Sequence, residues 1–511
     1  MAEVTRASID PAGPPGSAGQ AGSVTRASAD PPADVTAPLT PEVRPAVRGP
    51  VVGNGPVERV MSTVIRKLAW SRLSDPRVAI AVSGVGLLLG ALVGAMAPNT
   101  ATLPIQLPLT QLLSHVLPSL HNQNALALTL LYAGDVLACL GLAGMLWAHS
   151  QGWRPDPRKL LAVSAGVVAV LVSLTPVGSS DTASYAAFGR IAALGGNPYI
   201  TSPAQALKHS RYLPVVGTVW KPQVSVYGPI ATWVQRLAAS IGGANVETTI
   251  WVLMILNGAV FLGIGWLLLK TSDDPIRATL FWVANPVLIQ QLVSGGHLDT
   301  FVAAACICAI QVARRVSGIR GDVLIGVLIG LACGVKVTAV LVAVGLAWPM
   351  LRRHEWMRVA LITVVSLITV AFLYSFYGIT ALKPLIAGSQ WVILPSPWRL
   401  FQAILDVTVL PHSPGTVSLL INLLWPIAMI VVAWFIYQRI SSDQPQEVVA
   451  PFALSFAWIL VAPWVFPWYA ALAWVALTQV PRNRMTRWLT LYTVLLAVWH
   501  SGGGQGAATH W

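Results

Sequence analysis

Asp181 sits where a carboxylate is expensive. The stretch Ser179-Ser180-Asp181-Thr182-Ala183-Ser184-Tyr185 follows an apolar run that stops at Pro176. It leads into Phe188-Gly189-Arg190 and Gly195-Gly196-Asn197-Pro198-Tyr199. An acid at the mouth of a membrane helix is costly to hold there, which makes it a functional candidate by default. Its chemistry would be general-base catalysis, taking a proton from an attacking hydroxyl. The competing role is structural: Ser180 or Asp181 as an N-cap for free backbone N–H groups. The motif reads Ser-Ser-Asp, not Asp-x-Asp, so no divalent metal is demanded.

Other chemistry-bearing residues follow. Lys336, Arg399 and Lys221 could neutralise a phosphate on a lipid chain. Tyr185, Arg190, Tyr227, His297, Asp299, Trp391, Trp468 and Tyr469 could hold sugar rings by aromatic faces and hydrogen bonds. Each has a plainer alternative. Arg190 and Arg236 could snorkel to lipid head groups, and Trp391, Trp398, Trp464 and Trp468 could form an aromatic belt. His297 and Asp299 could cap a helix. Lys336 is harder to dismiss, since a buried lysine without a partner is costly. The sequence has no Gly-rich phosphate loop, no Ser-His-Asp arrangement and no Cys/His metal cluster.

The elements that must position these groups are membrane helices. Of 511 residues, 55% are hydrophobic and only 10% charged, where a soluble chain carries roughly a quarter charged. The formal net charge of +13 lies mostly between apolar segments, where Lys and Arg set topology, and does not point to nucleic acid. Cys139, Cys306, Cys308 and Cys333 all fall inside apolar segments and read as small core residues. Residues 1–60 are rich in Pro, Ala, Gly and Ser and are expected to be a disordered cytoplasmic tail. Within them Val4-Thr5-Arg6-Ala7-Ser8 recurs as Val24-Thr25-Arg26-Ala27-Ser28. No apolar h-region follows the start, so no signal peptide is expected.

Residues 61–511 are expected to form an all-α polytopic membrane domain of about 13 spans, from hydropathy and the positive-inside rule. Arg66, Lys67, Arg72 and Arg77 place the first end in the cytoplasm, and the third span, about 160–176, delivers Asp181 outside. Outer loops are expected at about 177–247 and 379–415, the first bearing an interfacial helix over Pro229–Ile241. A fifth span is expected at about 278–294 and another at about 468–480. The 28 apolar residues from Val323 to Met350 have basic clusters at both ends, which predicts a hairpin with its apex at Gly334-Val335-Lys336. This topology gathers Asp181, Arg190, Lys221, His297, Asp299, Lys336, Arg399 and His412 on the outer face, where basic groups dominate.

In this order the motifs resemble the actinobacterial polyprenol-phosphomannose-dependent α-1,6-mannosyltransferases, lipomannan-elongating enzymes of the GT-C class. The resemblance rests on Ser180-Asp181-Thr182 with Ser184-Tyr185 and Asn197-Pro198-Tyr199, on Tyr227-Gly228-Pro229, on Asn285-Pro286 leading to Gly296-His297, and on Val335-Lys336 with Thr338. Pro467-Trp468-Tyr469 is a weaker match. Where members carry Asn-Glu after the His, this chain has Leu298-Asp299. The resemblance implies a GT-C fold in the plasma membrane with its active site outside. It also implies Asp181 as catalytic base, a polyprenyl-phosphate-mannose donor, an α-1,6-mannan acceptor, inversion, and neither metal nor other cofactor.

Two alternatives share these features. A GT-C transferase could use another lipid-linked sugar, or a secreted peptide or secondary metabolite as acceptor. A lipid-linked sugar flippase would favour inverted repeats and polar residues through the whole depth of the bundle. No repeat is visible in the spans.

Overall fold

The computed structural model describes residues 75–500 apart from 389–391, 394–395, 409–413 and 441–442. The expected tail at 1–60 lies outside the described residues. Regular structure among them is helical, with one isolated antiparallel bridge between Thr102 and Val177. The helices that matter here begin with α1 (Pro76–Ala95), α2 (Asn124–Ser150), α3 (Pro157–Leu171), α4 (Asp181–Ala193) and α5 (Pro229–Gly242). There follow α6 (Val246–Thr271), α7 (Pro275–Phe281), α8 (Asp299–Arg315), α9 (Gly318–Val335), α10 (Val340–Arg352) and α11 (Trp356–Ser375). The last are α12 (Pro397–Thr408), α13 (Pro414–Gln438), α14 (Gln446–Val461), α15 (Ala471–Leu477) and α16 (Met485–His500).

Asp-Pro pairs start three of them. Asp75, Asp156 and Asp274 each accept a hydrogen bond from a backbone N–H two or three residues on, and the proline supplies a first helical residue that lacks a donor. Helices α1 and α2 pack through small residues: an added Cβ at Gly86 would meet Gly134 O at 2.7 Å, the close approach that apolar helices use in lipid. Outward faces stay apolar. Leu367, Ile368 and Phe372 on α11 and Ile427, Ile430 and Val431 on α13 are all exposed, as lipid-facing residues must be.

Among the described residues six helices, α1, α2, α6, α9, α11 and α13, are long and apolar enough to cross a membrane. The expected count of about 13 spans thus finds six of that length. Helix α3 stops at Leu171, short of Pro176. The expected span at 278–294 is broken. Trp282 leaves the helix after Phe281, and Asn285 Oδ1 accepts from Val287 and Leu288 N–H to restart it. A π-helix then covers Ile289–Ser294. The residue before a proline is biased away from the α region, which accounts for the break at Asn285-Pro286.

The expected span at 468–480 is a 3₁₀ turn, Pro467–Ala470, followed by the seven-residue α15, all buried. Such a piece is tolerated at depth because protein surrounds it. The break at Lys336 is as expected, with extended φ −155° and ψ 134°. Its two arms, however, pack on different neighbours: α9 along α11 and α10 along α14. They are not a closely packed hairpin.

Candidate active site

Three chain segments converge on Asp181. The first carries Asp181 itself, at the first position of α4. Its approach is pinned: Val177 N–H donates to Ser294 O at 3.1 Å, Gly178 N–H to Ala101 O at 2.9 Å, and Thr175 bonds Thr110. Ser179 Oγ accepts from Asp181 N–H at 3.1 Å. Ser180 makes no side-chain cap bond. The capping role considered for Asp181 is thus not the contact seen, because its carboxylate faces inward. Tyr185 Oη donates to Asp181 Oδ2 at 3.2 Å, and His297 Nδ1 lies 3.5 Å from the same oxygen.

The second segment is the turn after the π-helix, which presents His297. Gly296 has φ +71°, and an added Cβ there would stand 2.4 Å from Thr182 Cγ2 and 2.6 Å from Met254 Sδ. The turn therefore needs glycine twice over, for its left-handed backbone and for its contact with α4. Asn257 Nδ2 donates to Leu292 O at 2.6 Å and ties the π-helix to α6. The ring of His297 stacks on Trp468 at 3.6 Å between centroids and 11° between planes. Gly296→Ala should lower the unfolding midpoint and cost about 1–3 kcal/mol in backbone strain alone. A midpoint equal to the parent's in a thermal scan would show that the turn adapts without cost.

The third segment is the end of α9. Lys336 Nζ donates to Asp299 Oδ1 at 2.9 Å and Oδ2 at 3.1 Å. It also lies 3.6 Å from the centre of the Tyr469 ring and 5.7 Å from that of Tyr227. Gly228 N–H donates to Val335 O at 2.9 Å, and a Cβ on Gly228 would come within 2.2 Å of Gly334 O. That close approach sets Tyr227 beside the lysine. Tyr227 and Tyr185 share a hydroxyl hydrogen bond of 3.0 Å with their rings edge-on.

Tyr185, His297, Asp299, Lys336 and Trp468 are buried, while the Asp181 side chain is 16% exposed. Burial opposes ionisation of Asp181, but His297, Lys336 and Tyr185 outweigh it and hold its carboxyl below the ordinary carboxylate value. Burial, and then the Asp181 charge, push the Tyr185 and Tyr227 phenols well above theirs, so both remain donors. Two buried polar atoms here have no hydrogen-bond partner, Ser180 Oγ and Trp468 Nε1. Such atoms retain capacity to bond a hydroxylated ligand.

Eight of the residues singled out in the sequence meet: Asp181, Tyr185, Tyr227, His297, Asp299, Lys336, Trp468 and Tyr469. Among the described residues, Arg399, Lys221 and Arg190 do not join them. Arg399 pairs with Gln402 on its own helix α12 at 3.0 Å. Lys221 follows a 3₁₀ turn at Thr218–Trp220 in the loop before α5. Arg190 lies nine residues along α4 from Asp181, roughly 14 Å at 1.5 Å per residue. Trp391 and His412 lie outside the described residues. The cluster is also less basic than the outer-face tally suggested, since two carboxylates face one lysine and one histidine.

Two contributors went unseen in the sequence. Asn257 was one more polar residue within a span. His500, at the end of α16, packs 5.1 Å from Trp468 and 4.6 Å from Phe466. No local signal marks it; only a topology that returns the last helix to this side could have found it. Among the described residues no group of three or more His, Cys, Asp or Glu is placed to hold a metal.

The family described as alpha-(1->6)-mannopyranosyltransferase, N-terminal domain, matches residues 81–352. Alpha-(1->6)-mannopyranosyltransferase A of Corynebacterium glutamicum is 25% identical over 255 residues, 42% of this chain and 51% of that protein. Alpha-(1->6)-mannopyranosyltransferase B of the same organism is 26% identical over 302 residues, 54% of this chain and 47% of that protein. Alpha-(1->6)-mannopyranosyltransferase A of Mycobacterium tuberculosis is 28% identical over 189 residues, 36% of each chain. The chain spans about half the length of the curated relatives it matches. No solved structure matches it.

Proposed function

We propose, from the premise that this chain belongs to the alpha-(1->6)-mannopyranosyltransferase family, that it moves mannose from a polyprenyl-phosphate donor to a hydroxyl of a mannan acceptor. In this reading the reaction inverts the anomeric carbon on the outer face of the plasma membrane. The observation that carries it is Asp181: an ionised carboxylate, partly open, held by Tyr185 and His297 among stacked aromatic rings.

Both named contacts fall on Oδ2, which leaves Oδ1 for the acceptor hydroxyl. In the proposed step Asp181 takes that proton as the acceptor oxygen bonds the anomeric carbon. The bond from that carbon to the phosphate oxygen breaks, and the polyprenyl phosphate leaves with the electron pair. In this reading the Lys336 ammonium, which faces Asp299 and the Tyr469 ring, is the charge that meets the departing phosphate. Tyr185 donates to Asp181 and Tyr227 to Tyr185, so the Tyr227 oxygen is left to accept from a sugar hydroxyl, and Trp468 and Tyr469 offer apolar faces to the rings. A metal has no part in this reading, and neither Lys221 nor Arg399 is assigned to the leaving group.

The test is transfer of label from purified mannosyl phosphopolyprenol to a short α-1,6-mannoside by membranes containing the protein, with and without a chelator. Equal transfer in both arms is expected. Transfer abolished by the chelator would end the metal-free reading. No consumption of this donor with any mannoside would end the donor assignment.

A further inference from the structure

A second site opens at the far end of α4. Its lining includes Arg190, Leu194, Lys208, His209, Arg211 and Asn245, around a cleft of about 650 Å³. That volume lies within the roughly 300–1,000 Å³ typical of small-ligand sites. Three formal positive charges and a histidine line it, and no carboxylate does. Arg190 has no hydrogen bond or ion pair among the described residues; its recorded neighbour is the Tyr212 ring, 6.0 Å from the guanidinium carbon. Tyr212 is itself fixed, donating to Gly243 O at 2.8 Å and sharing a 2.6 Å bond with Thr249 Oγ1. Glu247, in the first turn of α6, acts electrostatically on Tyr212 but is not in the lining. Uncompensated guanidinium and ammonium groups around a concave space favour a phosphate oxygen.

The neighbouring surface says what carries the phosphate. Leu194 is 60% exposed on the cleft wall. Leu237 and Ile241, one helical turn apart on α5, are also exposed. The opposite face of α5 is buried against α4, where Gly189 meets Gln235 O. Helix α5 then runs through Gly242 and Gly243 into Ala244 and Asn245 of the lining. Basic groups beside an outward apolar row are the pattern of a lipid interface. We propose that this cleft binds the phosphodiester of an anionic membrane lipid, with the acyl chains along Leu194, Leu237 and Ile241. The site is separate from the Asp181 cluster and does not depend on the transfer chemistry.

The test is calorimetric titration of the detergent-purified full chain with dioctanoyl phosphatidylglycerol, dioctanoyl phosphatidylcholine and inorganic phosphate. Phosphatidylglycerol should bind one per chain, at least about tenfold tighter than phosphatidylcholine. Lys208 and Arg211 are exposed, so Lys208→Gln/Arg211→Gln should fold normally and bind the anionic lipid about tenfold more weakly. Arg236→Gln, an exposed charge on α5 outside the cleft, should bind as the parent does. Equal binding of the two lipids, or undiminished binding by the double variant, would overturn the proposal. Inorganic phosphate binding as tightly as the lipid would overturn the membrane source and leave a soluble phosphate site.

Discussion

Asp181→Asn should reduce mannosyl transfer by roughly 10²–10⁴-fold, the range a positioned general base supplies. Membrane insertion and unfolding midpoint should stay near those of the parent. The amide is nearly isosteric and still accepts from Tyr185, so the local packing survives. His297 keeps its stack on Trp468, and Tyr185 keeps Tyr227. What is lost is the basic oxygen. Turnover of purified Asp181→Asn within about twofold of the parent would remove the base assignment. A pH profile gives an independent reading. Since the surroundings hold the carboxyl below its ordinary value, the base form persists down through the ordinary carboxylate range. The acid limb due to Asp181 should therefore fall below that range, and an Asp181-dependent limb near neutrality would contradict the geometry.

Much of this arrangement was legible in residue types, and what was not has physical reasons. The Asp-Pro caps of α1, α3 and α7 are local signals and needed no tertiary information. The break at Lys336 followed from charge at both ends of a long apolar run. The break at Asn285-Pro286 carries an equally plain signal, yet the run from 278 to 294 read as one span. When all faces of a segment are buried, apolar periodicity cannot report a change of backbone. The seven-residue α15 escaped for the same reason. Topology placed Asp181, Lys221, His297, Asp299, Lys336 and Arg399 on one side but could not rank the cations as partners. Which of them reaches an acid across 37 residues of sequence, as Lys336 reaches Asp299, is decided by the packing of α8 on α9, and that leaves no trace in composition.

That pairing sharpens the second large effect. Lys336→Met should abolish transfer and also destabilise the protein. It strips a buried carboxylate of its partner, and breaking such a pair costs about 3–5 kcal/mol. Loss of activity in this variant alone would therefore not separate a phosphate role from a structural one. Lys336→Met/Asp299→Leu separates them. With both charges replaced by apolar groups of similar size, stability should return to within about 1–2 kcal/mol of the parent, since an apolar substitute for a buried ion pair is often neutral or better. Transfer should stay absent, because the Lys336 ammonium is gone while the fold is not. Single-turnover release of polyprenyl phosphate from bound donor is the readout, since it follows leaving-group departure and not acceptor affinity. Asp299→Asn should be milder on both counts, because its side-chain oxygen still holds the ammonium in place. If the double variant regains both stability and transfer, Lys336 serves only to neutralise Asp299, and the charge that meets the departing phosphate must come from elsewhere.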